Sequence, residues 1–178
     1  MNEYNGHWIS TFTGKKFHYL NPQPDEIDIR DIAHALSLTC RFGGHCREFY
    51  SVADHSIRVA DEVGRDYKLS ALLHDAHEAY LHDVPRPIKQ DILGYKEIAD
   101  LIQKAINSKF NLHFSYAVSY ADDVLLATEA RDLGLNTEDW VELPTPLQTI
   151  IYPWESKVAE SIFLAHFEIY GGGKWNKF

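Results

Sequence analysis

Apolar residues recur at helical spacing over most of the chain after residue 28, and this pattern constrains the fold more than any other feature. The first such stretch, IRDIAHALSLTC, places Ile29, Ile32 and Leu36 on one helix face. Asp28 stands immediately before it as a candidate N-cap. The sequence therefore predicts a fold that is mainly all-α.

Glycine and proline divide the remaining helical pattern into further segments. A helix over 51–63 opens with a capping pair, Ser51 and Asp54. The stretch KLSALLHDAHEAYLHD is predicted to form one helix, which Pro85 and Pro87 stop. Three more helices are predicted: a long amphipathic one over 89–110 with a kink at Gly94, one over 115–134 that ends at Gly134, and a last one over 156–170.

The segment before these helices, HWISTFTGKKFHYL, alternates apolar and polar residues around Gly14 and predicts a short β-hairpin. Trp8, Phe12, Phe17 and Tyr19 would cover one side of the helical bundle. No internal repeat and no long polar linker divides the sequence. We therefore expect one domain over 1–178, with the hairpin in 1–21 and a flexible tail at 171–178.

Charge and composition exclude some classes of protein. The net charge of −9 argues against a protein that wraps the nucleic-acid backbone, because such binding needs a basic surface. No apolar run reaches the length of a membrane span, and the N-terminus lacks the features of a signal peptide. We expect a cytoplasmic protein that binds neither nucleic acid nor membrane. Cys40 and Cys46 are expected to be free thiols, because two cysteines make no disulfide framework and the cytoplasm is reducing. With His45 they also lack a fourth ligand for a zinc knuckle.

The dipeptide His74-Asp75 follows the apolar segment LSALL, and both side chains are good ligands for a borderline divalent metal. Adjacent residues on a regular helix point about 100° apart, so both reach one ion only at a helix end or where the backbone is distorted. His55 lies in an apolar stretch and taken alone could be an ordinary core histidine, whereas Asp122 and Asp123 precede an apolar run. Two histidines and two carboxylates from three helices would leave a metal with open positions.

Three blocks of sequence in this order resemble the HD-domain phosphohydrolases: REFYSVADHS, ALLHDAHEAYLHDVPRPIK and ADDVLLATEARDL. They are most similar to the small phage and bacterial branch that includes bacterial 5′-deoxynucleotidases and viral dATP triphosphohydrolases. The resemblance spans most of the chain, residues 8–133, and implies an HD-domain helical bundle that assembles as a homo-oligomer. It also implies a divalent transition metal, Zn²⁺, Co²⁺ or Mn²⁺, held by His55, His74, Asp75 and Asp122, with Asp123 as the alternative to Asp122.

The resemblance also assigns residues around the metal. Glu78 and Asp83 fall on acidic positions that are thought to transfer protons or position water in the family. Taken as residues alone, Glu78 could instead orient the His74 ring, and Asp83 could be a turn residue before Pro85. The implied substrate-binding residues are Arg41 at the nucleotide, Phe42, Gly44 and Pro87 around the base, and Lys89 at phosphate.

Two histidines depart from the family pattern. His77 stands where the family usually has a small residue, and His82 stands where glycine is common. Either side chain could add a ligand, alter the pocket or have no role. These departures concern the metal and the substrate range more than the reaction.

The resemblance implies hydrolysis of phosphate from a small-molecule deoxynucleotide. Within this branch the chain looks most like the viral enzymes, which predicts conversion of dATP, dADP or dAMP to deoxyadenosine, in the host cytoplasm if the protein is viral. The alternatives are a broad-range deoxynucleoside 5′-monophosphatase, a phosphodiesterase of signalling nucleotides and a metal-containing nucleotide sensor without turnover. Glu78 and Asp83 favour catalysis, because a pure binder need not keep acids beside the metal.

Overall fold

The computed structural model describes residues 6–113 and 115–175. Within these residues a two-stranded antiparallel hairpin precedes eight α-helices, so the predicted fold class is confirmed. Short 3₁₀ turns lie at Pro24–Glu26, Arg41–Gly44 and Arg65–Tyr67. The elements are β1 (Ile9–Ser10), β2 (Lys16–Phe17), α1 (Ile29–Leu38), α2 (Val52–Asp61), α3 (Lys68–Leu72), α4 (Glu78–Leu81), α5 (Arg86–Asp91), α6 (Tyr95–Phe110), α7 (Tyr116–Asp132) and α8 (Ser156–Ile169).

The N-terminal hairpin is present as predicted, with Ile9 opposite Phe17 in the antiparallel pair. Phe17 is fully buried and stacks on Tyr80 of α4, with ring centroids 3.7 Å apart. Phe12 is different from the expectation, because it stays about half exposed and stacks on His34 of α1 instead. The hairpin thus attaches to the bundle mainly through Phe17.

Helix α2 is the centre of the bundle, since it packs against α1, α3, α7 and α8. Almost every residue of α2 is buried, which is the pattern of a helix surrounded by other helices. Asp28 caps α1 and Ser51 caps α2 through side-chain acceptors, as the sequence predicts. This central position carries His55 into the interior, where its side chain has no exposed surface.

The single helix predicted over 68–83 is wrong. Helix α3 ends at Leu72, a turn follows, and α4 begins only at Glu78. The side-chain amide of Gln103 on α6 donates to the Leu73 carbonyl at 3.0 Å and accepts from the His77 amide at 3.2 Å. Those two backbone groups would bond each other in a continuous helix, so Gln103 takes the place of that hydrogen bond.

The kinked helix predicted over 89–110 is also wrong, because the structure contains two separate helices there. Pro85 and Pro87 do not only end the preceding segment, since Pro85 is the N-cap of α5 and Pro87 lies in its first turn. Gly94 has a φ of 81° and precedes α6. A left-handed residue cannot continue a right-handed helix, so Gly94 separates α5 from α6.

The last predicted helices are confirmed to within two residues at each end. Gly134 follows α7 with a φ of 70°, the conformation expected of a residue just beyond a helix. Residues 135–155 then contain neither helix nor strand, and we call residues 136–146 the strap. Hydrogen bonds to α7 fix the chain on both sides of the strap: Leu135 N to Ala130 O, Leu147 N to Thr128 Oγ1, and Ile151 N to Asp132 Oδ2.

Cys40 and Cys46 are free thiols with their sulfur atoms 3.6 Å apart. None of the helices in the described residues is long and apolar enough to cross a membrane. Of the predicted tail, Trp175 is half-buried against the core, and residues 176–178 lie outside the described residues.

Candidate metal centre

His55, His74 and Asp75 converge on one point, where a nitrogen of each ring and a carboxylate oxygen lie within 4.8 Å of one another. This group could hold a metal ion. His55 comes from α2, whereas His74 and Asp75 lie in the turn between α3 and α4. Because that turn is not a regular helix, the adjacent side chains of His74 and Asp75 can face the same point, which they could not do on a regular helix.

Asp122 of α7 completes the cluster. Its Oδ1 lies 3.1 Å from His55 Nε2 and 3.8 Å from His74 Nε2. On the other side, Asp75 Oδ2 lies 3.1 Å from His74 Nε2 and 3.7 Å from His55 Nε2. Within the described part of the chain, the neighbouring Asp123 makes no such contact with either histidine.

The hydrogen bonds of the two histidines fit a divalent metal. His74 Nδ1 donates to the Ala71 carbonyl at 2.7 Å, and His55 Nδ1 lies 2.5 Å from Glu129 Oε1. The Nε2 atoms of both rings are buried without a hydrogen-bond partner among the described residues. A proton held on Nδ1 leaves a lone pair on Nε2, which is the arrangement that second-shell partners impose on metal-binding histidines.

The histidines and the carboxylates of the cluster shift each other's pKa values. Burial lowers the pKa of His74, but Asp75 and Asp122 outweigh it and hold that pKa well above its ordinary value. Burial raises the pKa of Asp122, and His55 and His74 overcome this effect and hold it well below its usual range. A metal ion would compete with protons on the rings, so its affinity would increase with pH.

Glu129 belongs to this site and was missed by the sequence reasoning. It is fully buried on α7, and its Oε2 accepts a hydrogen bond from Arg41 at 2.9 Å while Oε1 contacts His55. Burial raises the pKa of Glu129, but Arg41 and His55 dominate and lower it, so the carboxylate stays ionised. The signal in the sequence is its position seven residues after Asp122, on the same helix face within an apolar run.

Glu78 is 2% exposed, and its Oε1 accepts a hydrogen bond from Lys89 at 2.6 Å. Burial, together with the charges of Asp75 and Asp83, raises the pKa of Glu78 to about 8 although Lys89 acts in the opposite direction. A carboxyl group with such a pKa carries a proton at neutral pH and can donate it.

Asp83 holds the 3₁₀ turn over Arg41–Gly44, because its Oδ2 accepts from the Phe42 amide at 3.0 Å. Phe42 has a φ of 58°, in the left-handed region that only glycine adopts without cost. The Arg41 guanidinium lies 5.2 Å from the centre of the Phe42 ring. Asp83 therefore positions the two predicted substrate residues, whatever else it does.

A cavity of about 530 Å³ opens beside the cluster, a volume typical of small-molecule sites. Nearly all of the residues predicted to surround the substrate line it. Gly44 and the two departures, His77 and His82, are not among the lining residues. Gly44, with a φ of 82°, serves the turn, while His77 contacts Gln103 and His82 ends α4. The predicted residues that do line the cavity are Arg41, Phe42, Asp75, Glu78, Asp83, Pro87, Lys89 and Asp122.

The fold and the cluster define a helical protein with a buried histidine–aspartate group that could hold a metal ion. No family model matches the chain. It is 45% identical over 131 residues to the uncharacterized protein YfdR of Escherichia coli, covering 72% of this chain and 74% of YfdR. It is 34% identical over 143 residues to the uncharacterized protein RCAP_rcc00048 of Rhodobacter capsulatus, covering 71% and 73%. The chain belongs to the same family as YfdR and RCAP_rcc00048.

Proposed function

We propose that this protein is a metal-dependent phosphohydrolase of the HD-domain type that removes phosphate from a deoxynucleotide. The substrate we propose is dATP, with dADP and dAMP, and the product is deoxyadenosine. The observation that carries the proposal is the pair of buried Nε2 atoms, on His55 and His74, that face the Asp75 and Asp122 carboxylates beside a cavity of nucleotide size.

The donor set suits Zn²⁺, Co²⁺ or Mn²⁺, since imidazole and carboxylate are ligands that all three accept. A bound divalent metal would supply Lewis acidity, which activates water for attack and offsets the negative charge that develops on the phosphoryl oxygens. His55, His74, Asp75 and Asp122 would hold the metal, and Asp75 and Asp122 also line the cavity.

Two cations in the cavity suit phosphate. Arg41 is 8% exposed and lies between Glu129 and Asp75, with its Nη1 3.7 Å from Asp75 Oδ2. Lys89 lies between Glu78 and Asp83 and has about a quarter of its side chain exposed. Both would neutralise phosphate charge in a chain whose net charge is −9.

Glu78 is the proton donor in this proposal. Its second oxygen, Oε2, is buried without a hydrogen-bond partner among the described residues, and its raised pKa keeps a proton available. Transfer of that proton to the leaving oxygen avoids the release of an alkoxide or a highly charged phosphate. Lys89, in contact with Glu78, would then stabilise the carboxylate that remains.

The test is the release of phosphate and nucleoside from a panel of deoxynucleoside mono-, di- and triphosphates. Chelator-treated protein would be assayed after addition of Zn²⁺, Co²⁺ or Mn²⁺ in turn. We expect metal-dependent turnover with preference for dATP and deoxyadenosine as product. Turnover of monophosphates alone would place the protein with broad-range 5′-monophosphatases. Folded protein that binds metal and releases no phosphate from any substrate would contradict the proposal and favour a nucleotide sensor.

A further inference from the structure

The strap lies between two cavities. Three of its residues, Trp140, Val141 and Leu143, line the cavity beside the metal cluster and also a second cavity of about 550 Å³. The second cavity contains none of the cluster residues and includes Ala127 and Ala130 of α7. The strap therefore forms a wall of the first cavity.

Helix α7 shows where along the first cavity this wall stands. Asp122 and Leu126 both line the cavity, and they lie one helical turn apart, on the order of 6 Å along the axis. Ala127 and Ala130, which line the second cavity together with Trp140, continue in the same direction along α7. The strap residues therefore line the part of the cavity that lies along α7 beyond Asp122.

The charge of the strap disfavours phosphate at this end of the cavity, where Asp139 is among the lining residues. Its sequence, NTEDWVELPTP, contains Glu138, Asp139 and Glu142 and no lysine or arginine. The cations that line the first cavity, Arg41, Arg86 and Lys89, all come from other elements. A nucleotide with its phosphates at the cluster would therefore direct its uncharged base toward the strap.

Trp140 is the strap residue suited to contact a base. Its side chain is about 40% exposed, and its indole makes no hydrogen bond to any described residue. The hydrogen bonds of the strap backbone are local among the described residues: Trp140 N donates to Thr137 O, and Glu138 N to Asn136 Oδ1. A segment held at both ends and only locally in its middle can adjust its aromatic side chain to a planar ligand.

We propose that Trp140 stacks on the heteroaromatic base of the nucleotide and is a base-binding residue of this site. The inference rests on the proposed function, because it takes the phosphates to lie at the metal cluster. Phe42 and Trp140 then provide two aromatic side chains in one cavity, from opposite parts of the chain. Stacking on an aromatic residue tolerates different bases, so hydrogen bonds elsewhere would have to choose among them.

The test compares Trp140→Ala and Trp140→Phe with Tyr152→Ala, an exposed aromatic residue in the same connection that lines neither cavity. KM and kcat would be measured for dAMP and for 2-deoxyribose 5-phosphate, which lacks the base. We expect Trp140→Ala to raise KM for dAMP roughly tenfold or more, with kcat and metal content unchanged. Trp140→Phe should retain most of the affinity, and Tyr152→Ala should equal the parent protein.

A binding measurement separates failure of this inference from failure of the proposed function. Quenching of tryptophan fluorescence by dAMP should be absent in Trp140→Phe and present in the parent protein, whether or not phosphate is released. Absence of turnover in the parent protein would reject the proposed function alone if this quenching is seen. Full quenching in Trp140→Phe, or an unchanged KM for dAMP in Trp140→Ala, would overturn the assignment of Trp140.

Discussion

The metal cluster and the strap line the same cavity but are held in different ways. Partners from neighbouring elements fix the cluster side chains, as Glu129 on α7 fixes His55 on α2. The strap is anchored at its two ends, and its described middle residues bond only to each other. Phosphate chemistry depends on fixed distances, whereas stacking on a base tolerates adjustment. Under the proposed function, the rigid part would therefore hold the metal and the phosphates, and the adaptable part would contact the base.

The contrast between a fixed cluster and an adaptable strap would be refuted most clearly if activity did not need the cluster. His74→Ala removes one ligand, so we expect loss of metal and activity at background, with little change in fold since His74 lies in a turn. Metal content and thermal unfolding would be measured together. The matched control is His113→Ala, an exposed histidine outside the cluster, which should keep both metal and activity. Full activity in His74→Ala would show that the site is assigned to the wrong residues.

A second pair of variants tests whether Asp122 or Asp123 is the ligand from α7. Asp122→Asn should reduce turnover roughly a hundredfold or more, because even supporting residues at metal sites reach that range. Asp123→Asn should have almost no effect, since its side chain does not contact the histidines. The reverse result would make Asp123 the ligand and require α7 to be rotated from the orientation described above.

Glu129→Gln tests the partner that holds the cluster. The substitution keeps the size of the side chain but leaves Arg41 and His55 buried beside a neutral amide. We expect metal affinity to fall about 10- to 100-fold and the free energy of unfolding to fall by about 3 kcal/mol. Metal titration and urea denaturation would measure the two effects. Glu97→Gln on the exposed face of α6 serves as control, and an equal loss there would refute a specific role for Glu129.

The smallest effect is expected at the anchor of the strap. The Thr128 hydroxyl donates to the Val124 carbonyl and accepts from the Leu147 amide at 2.9 Å. Thr128→Val keeps the shape and removes both bonds, so the unfolding free energy should fall by about 1 kcal/mol. Hydrogen exchange should become faster at Leu147 and stay unchanged at His55. Faster exchange in the cluster as well would mean that the two regions are not independent.

The sequence predicted α1, α2, α7 and α8 because these helices depend on local patterns, whereas the resemblance of three sequence blocks to a known family implied the four proposed ligands. Helical spacing, caps and punctuating glycines act within a few residues, and the observed ends lie close to the predicted ones. The single helix predicted from Lys68 to Asp83 was wrong because Gln103, about thirty residues away in the chain, makes the hydrogen bonds that replace the helical backbone bond. No local pattern contains that contact.

Glu129 shows the same limit for the site. The role of Glu129 depends on its contacts with two buried partners, Arg41 and His55, that come from different elements. An acidic residue inside an apolar helix is costly unless it is paired. The sequence therefore indicates that Glu129 needs a partner, but it does not identify that partner. The strap was missed for the opposite reason, because a segment without periodic pattern gives no indication of what it packs against.

The left-handed backbone of Phe42 limits which residues could replace it in this cavity. A backbone position with a φ of 58° accommodates glycine, asparagine and aspartate most readily, and it accommodates a side chain branched at Cβ only with strain. Few residue types therefore fit position 42 without strain, and the others would lower the stability of the protein. The backbone of Trp140 is not in this left-handed region, so substitutions at this position of the strap carry no such conformational cost.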